Sequence, residues 1–218
     1  MLSQTEENYL KALFHITHEI EEKQDAGTNE LAAYLEVTPA TVNDMLKKLK
    51  EKQLVMYEKY GKITLTRSGK EFAIEVIRKH RLWETFLFEK LKFSWDEIHE
   101  VAEQLEHIKS KKLVEQLDWF LEYPEVDPHG DPIPNTKAEI KLMKRRTLNQ
   151  VPAHEVCTLI GVKDNSAPFL QHAMKIGLGL HCKIKILKHY EFDGSVEIEV
   201  NQNRSTISQK FAENLFVQ

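Results

Sequence analysis

Residues 38–67 read TPATVNDMLKKLKEKQLVMYEKYGKITLTR, and the order of signals within them decides the fold. Thr38 followed by Pro39 is a helix N-cap with proline at the first helical position. Val42, Met45, Leu46 and Leu49 then recur at helical spacing as far as about Gln53. LVMYEKY and KITLTR follow, two β-like runs joined around Gly61, which predicts a hairpin. Upstream, Ser3 with Glu6 three positions later is a capping-box signature. Behind it Tyr9, Leu10, Leu13, Phe14 and Ile16 predict a first helix from Gln4 to Glu22. Gly27 breaks that pattern, and Asn29 opens a short helix, ELAAYL, that ends near Val37. Helix, short helix, turn, helix, hairpin is the order of a winged helix-turn-helix, with residues 38–53 as the helix that enters the DNA groove.

A three-helix bundle carrying a hairpin has the same order of elements, so the exposed chemistry must discriminate. Thr38, Pro39, Ala40, Thr41, Asn43, Lys47 and Lys48 give the third helix base-reading and phosphate-binding groups, and Lys59 and Lys62 do the same for the hairpin. The formal net charge of the 218 residues is −4, which makes its distribution more informative than its total. Residues 38–62 carry Lys47, Lys48, Lys50, Lys52, Lys59 and Lys62 against Asp44, Glu51 and Glu58. Residues 95–107 hold five acids and no Lys or Arg. One segment suits phosphate and the other suits cations.

From Ser68 to about Tyr123 the pattern is helical in three segments, with a capping box at Ser94 (SWDE) before the third. The stretch YPEVDPHGDPIPN, with four prolines, must be irregular. KAEIKLMKRR reads as a basic linker, and from Thr147 onward KIKILKHY and SVEIEV predict a small all-β domain. The expected domains are 1–67, 68–134 and 148–218, with 135–147 as linker. Cys157 and Cys182 are too few for a disulfide framework and too isolated for a CxxC metal knuckle. No run approaches the roughly 20 apolar residues of a membrane span. The start, MLSQTEENYL, lacks the basic and apolar regions of a secretory signal, so the cytoplasm is the expected location.

WDEIHEVAEQLEH, residues 95–107, carries the most chemistry. On a helix, Ile98, Val101, Ala102, Leu105 and Ile108 form one apolar stripe, and His99, Glu103, Glu106 and His107 fall on the neighbouring face. A second pair, His80 and Glu84, stands four residues apart on the preceding helix beside Leu82, Trp83, Phe86 and Leu87. Either pair alone is an ordinary surface i,i+4 interaction. Both pairs beside apolar stripes match the way helical bundles assemble metal sites. Carboxylate and imidazole without thiolate suit Mn²⁺, Fe²⁺, Co²⁺ or Zn²⁺. Asn8 on the first helix is a further hard donor.

With those residues in place, the chain resembles the DtxR/MntR family of metal-dependent bacterial repressors over nearly its whole length. TEENYLKAL, GKITLTRSGKEFA, RKHRLWETFL, IHEVAEQLEH and DPHGDPIP carry the likeness. The resemblance implies a mainly α protein with a small β domain: a winged helix-turn-helix, a helical dimerisation and metal-binding domain, and a C-terminal SH3-like, FeoA-like β-barrel. It implies a homodimer that represses from palindromic operator DNA when loaded with metal, with no membrane and no organic substrate. By position it implies a primary site of Asn8, Glu103, Glu106 and His107. It implies an ancillary site of His80, Glu84 and His99, with Asp164 as an oxygen donor from the C-terminal domain. Glutamate at 103, where the iron-responsive branch has cysteine, points to Mn(II), with Fe(II) as the alternative and Zn(II) or Co(II) in vitro. Asn8 and Lys11 depart from the manganese pattern, which commonly has carboxylates there. A metalloenzyme built on the same cluster, or a winged-helix regulator taking an organic effector among Trp83, Phe86 and Phe88, are the competing readings.

Overall fold

The computed structural model describes residues 2–20, 23–57, 61–140 and 145–218, without the side chains of residues 19 and 20. Lys59 of the expected wing lies outside the described residues. The chain forms two compact units. The first comprises residues 1–80, 105–109 and 134–139, and the second 81–104, 110–133 and 140–218.

In the first unit α1 spans Gln4–Phe14, α2 Thr28–Tyr34 and α3 Pro39–Glu51, followed by strands β1 (Val55–Tyr57) and β2 (Ile63–Leu65). The Ser3–Glu6 capping box that opens α1 is formed in both directions. Thr38 Oγ1 accepts the Thr41 N–H to cap α3, with Pro39 at its start. Buried Val42, Leu46 and Leu49 of α3 sit with Leu10, Leu13, Leu31 and Ile63 in the core, as their spacing requires. β1 and β2 pair antiparallel, Val55 to Leu65 and Tyr57 to Ile63, so the inward residues of the hairpin alternate with exposed Met56. α4, Arg67–Glu89, begins tightly against the hairpin's root. A Cβ on Gly69 would stand 2.0 Å from the Leu54 carbonyl oxygen, so only glycine permits that approach.

The first helix departs from expectation. Its α-helical part ends at Phe14 and a π-helical stretch, His15–Ile20, continues it; Glu21 and Glu22 lie outside the described residues. Thr17 Oγ1 donates to the Leu13 carbonyl at 2.7 Å, a side-chain bond that competes with the regular ladder where the helix widens.

In the second unit the rest of α4 is joined by α5 (Ile98–Leu105, less its last residue) and α6 (Lys111–Phe120). The remainder is a six-stranded antiparallel sheet of order β3-β8-β4-β5-β6-β7. Its strands are β3 (Arg146–Thr147), β4 (Val156–Val162), β5 (Lys183–His189), β6 (Val196–Val200), β7 (Asn203–Ile207) and β8 (Leu215–Val217). Val196, Ile198 and Val200 point inward while Glu197 and Glu199 lie between them, the period-2 burial that SVEIEV foretells. The domain is not all β. α7, Ala167–Lys175, connects β4 to β5, and a short α8, Gln209–Ala212, precedes β8. The signal for α7 is legible in hindsight, since Ser166 stands at its N-cap and Pro168 in its first turn.

The acidic helix is also shorter than its periodicity suggests. Residues 95–97 form a turn, held by Ser94 N–H and hydroxyl donating to Glu97 at 2.9 and 2.6 Å. α5 then ends at Leu105, and Glu106 and His107 occupy the turn beyond it. The helical wheel that put His99, Glu103, Glu106 and His107 on one face therefore stops applying at Glu106.

Candidate metal centres and DNA-reading helix

In the first unit, α1 and the turn after α5 bring Glu7, Lys11, Glu106 and His107 together with His80 of α4, and Asn8 follows Glu7 on α1. Glu106 has no exposure to solvent. Its Oε2 lies 2.7 Å from His80 Nδ1 and accepts from Lys11 Nζ at 2.7 Å. Burial pushes the Glu106 pKa up, but the His80 hydrogen bond and the Lys11 charge outweigh that and hold it below the ordinary 4.5. Its other oxygen, Oε1, is buried with no hydrogen-bond partner, and so is the amide oxygen of Asn8. His107 Nδ1 lies 2.6 Å from Glu7 Oε2, and its Nε2 lies 3.8 Å from the partnerless Glu106 Oε1.

A buried acceptor without a donor costs about 1–3 kcal/mol. Hard oxygens of that kind, beside an imidazole, are what a divalent cation satisfies. The residues present therefore fit a metal ion: Glu106 and His107 offer adjacent donors in the first unit and Asn8 a further oxygen on α1, while Glu103, expected with them, lies beside His99 in the second unit. Neighbouring Glu6 is occupied otherwise, by Lys52 at 2.6 Å and the Ser3 N–H at 2.9 Å.

The second unit holds another cluster. Glu84, on α4, is almost wholly buried. Its Oε1 lies 3.1 Å from His99 Nδ1 and its Oε2 3.5 Å from His129 Nδ1. His99 Nε2 in turn lies 3.6 Å from Glu103 Oε1. Asp164 is turned toward the start of α7, where it accepts the Ser166 N–H at 2.9 Å. From the C-terminal domain it is Asn165, through Nδ2 at 3.5 Å, that approaches His99.

Spacing gives His129 no role, because it lies in the proline-rich stretch rather than on a helix face. It is 1% exposed. Ligand atoms of Glu84, Asp127 and His129 all lie within 4.8 Å of one another. Asp127 Oδ1 accepts the N–H groups of His129 and Asp131 at 2.8 and 2.9 Å, and its Oδ2 is 3.6 Å from Arg81 Nε. Burial, with the nearby Asp131 and Glu84 charges, pushes the Asp127 pKa up to about 8. Burial works against the His129 proton, but the hydrogen bond to Glu84 and the surrounding carboxylates raise its pKa to about 9. The His129 carbonyl accepts the Val162 N–H of β4 at 2.9 Å. Gly130, at φ 84°, could carry no Cβ, since one would stand 2.0 Å from the Ile160 carbonyl oxygen. The HGDP residues thus link Glu84 to the C-terminal sheet.

On α3, Thr38, Pro39, Ala40, Thr41, Lys47 and Lys48 are exposed. Asn43 is half-buried and its Oδ1 accepts the Tyr57 hydroxyl. Lys47 pairs with Asp44 at 2.9 Å and Lys62 with Asp25 at 2.9 Å. Asp44 on the third helix therefore has a local partner.

Residues 1–63 match the family model of the iron-dependent repressor N-terminal DNA-binding domain. Residues 66–135 match that of the iron-dependent repressor metal-binding and dimerisation domain, and 146–218 that of the FeoA domain. The chain belongs to the DtxR/MntR family of metal-dependent repressors. Among similar members, an uncharacterized HTH-type transcriptional regulator of Methanocaldococcus jannaschii is 36% identical over 121 residues, 56% of this chain and 95% of that one. The HTH-type transcriptional regulator MntR of Bacillus velezensis is 28% identical over 149 residues, 68% of this chain and 98% of that one. A solved manganese-dependent transcriptional repressor in complex with manganese superposes with a TM-score of 0.83 at 30% identity, over 97% of this chain and 98% of that one. For a DtxR/MntR-family chain the expected architecture holds: a helical winged DNA-binding part, a helical dimerisation part and a C-terminal β domain. Among the described residues, no helix is long and apolar enough to cross a membrane.

Proposed function

We propose that this family member is a homodimeric repressor that takes palindromic operator DNA when Mn²⁺ is bound, with Fe²⁺ as the alternative ion. The observation that carries the metal requirement is the buried, partnerless Glu106 Oε1, 3.8 Å from His107 Nε2, with a second buried, partnerless oxygen, Asn8 Oδ1, on α1. A divalent cation held there supplies two positive charges and coordination positions for hard oxygen and imidazole donors. Asn8 stands on α1 and Glu106 follows α5, so donors converging from both tie α1 to the 105–109 turn. α1 contacts α2 and β2, and α2 packs on α3, so the tie constrains the reading helix within the same unit. Without it, the two oxygens gain nothing from that closed arrangement. Metal must favour the DNA-competent form by its differential affinity, or it shifts no population.

Glu84, His99 and Glu103 are the proposed donors of the second unit. The glutamate at 103 supports the manganese assignment through its likeness to the manganese-responsive branch. Phe88, Leu91, Leu113, Trp119, Phe120 and Tyr123, on and beside α4 and α6 of the second unit, are all exposed. Exposed apolar side chains on these helices fit the dimer surface. Phe86 packs T-shaped against Trp83 at 5.8 Å and tilted against Phe120 at 6.1 Å, which supports a packing role for these aromatics over an organic-effector pocket. Two reading helices on one two-fold axis place half-sites about 10 bp apart.

The test is duplex selection by the chelated protein with and without Mn²⁺, followed by fluorescence anisotropy on the recovered sequence. Metal should tighten binding by orders of magnitude. Equal binding in chelator would end the metal-switch reading.

A further inference from the structure

We propose that Glu7 is a positioning residue: it fixes which nitrogen of His107 is available to metal. The inference rests on the metal reading of Asn8, Glu106 and His107, and deepens it.

An ionised carboxylate can only accept hydrogen bonds. Glu7 Oε2 stands 2.6 Å from His107 Nδ1, so the hydrogen of a neutral imidazole belongs on Nδ1. The lone pair is then on Nε2. That nitrogen faces Glu106 Oε1 at 3.8 Å, beyond hydrogen-bond range, and that oxygen has no other partner. Two acceptors facing one another in a buried place, with no hydrogen between them, repel each other unless a cation joins them. With the opposite tautomer, Nε2 would carry the hydrogen toward Glu106 and close the position.

Glu7 is itself held for this task. It is 7% exposed, in the first turn of α1, where the helix dipole favours a carboxylate. Its N–H donates to the Ser3 carbonyl at 3.0 Å, and its second oxygen lies 3.6 Å from Lys109 Nζ. The neighbouring Glu6 cannot substitute, because Lys52 and the Ser3 cap engage both of its oxygens. Carboxylates behind liganding histidines orient the ring and raise its basicity, and their loss typically costs about 10- to 100-fold in metal affinity.

The test uses the full chain. Imidazole ¹⁵N NMR of metal-free protein reads the His107 tautomer directly. Chelator competition then gives the Mn²⁺ affinity of wild type, Glu7→Gln and Glu7→Leu, each checked for an unchanged circular dichroism spectrum. The expected result is an Nδ1–H tautomer in wild type, a loss of about 10-fold in Glu7→Gln, which keeps an acceptor, and nearer 100-fold in Glu7→Leu. An Nε2–H tautomer in wild type, or Mn²⁺ affinities unchanged in both variants, overturns the role of Glu7 alone. An Nδ1–H tautomer in a protein that takes up no Mn²⁺ overturns the metal reading as well.

Discussion

Replacing Glu106 by glutamine removes a charge from a side chain with no solvent exposure, on which Lys11 and His80 converge at 2.7 Å each. Breaking a fully buried pair costs about 3–5 kcal/mol. Here the Lys11 side chain keeps 19% exposure and can turn to water, and the amide still offers an acceptor. The metal-free loss is therefore set nearer the unsatisfied-partner range, about 1–3 kcal/mol. The metal-bound comparison is sharper. An ion that binds only the folded form adds about 2.7 kcal/mol at a free concentration 100 times its Kd. At about 2–4 °C per kcal/mol for a chain of this size, that is a rise of roughly 5–11 °C in Tm. Thermal unfolding in chelator and in Mn²⁺ should show wild type gaining at least that rise and Glu106→Gln keeping only the part that the second unit's donors contribute. A variant that keeps the full Mn²⁺ shift would refute the reasoning.

The same variant has a pH signature. The folded pKa of Glu106 lies below the ordinary 4.5, because the His80 and Lys11 interactions outweigh burial. A depressed carboxyl stabilises the fold above its unfolded pKa and loses that contribution as pH falls through the folded value. In chelator, wild type should lose stability below about pH 4.5 more steeply than Glu106→Gln.

Asp44→Asn should free Lys47 from its 2.9 Å partner, tighten operator binding several-fold and steepen the salt dependence by up to about one released ion, measured by anisotropy across a salt series. Gly130→Ala places a Cβ 2.0 Å from the Ile160 carbonyl at a φ of 84°, so urea unfolding should report a loss of at least about 2 kcal/mol. Trp119→Glu puts a charge into the exposed apolar group, and sedimentation equilibrium should show monomer at concentrations where wild type is dimeric, with operator affinity falling in step. An unchanged dimer would remove that surface from the interface.

Most local signals that depend on neighbours in sequence were legible, α7 of the C-terminal domain being missed despite its cap residue. Ser3 and Thr38 as caps, Val42, Leu46 and Leu49 as a buried face, and the alternation of Val196, Ile198 and Val200 follow from backbone geometry that a short window sets by itself. The His and Glu residues that could offer metal donors were legible as residue types from their i,i+4 spacing beside apolar stripes. What periodicity could not give was where a helix stops. α5 ends at Leu105, so Glu106 and His107 leave the face they share with His99 and Glu103 on a wheel. Glu106 meets His80 and Lys11 in the first unit, while His99 and Glu103 pair in the second. Glu7 and His129 lie within motifs that carry the family likeness, but no spacing pointed to their partners. Their partners, His107 and Glu84, are 100 and 45 positions away, and contacts at that separation exist only once the chain has packed. Residue type and spacing thus determined the elements and the chemistry available, while burial decided which oxygens were left without a partner.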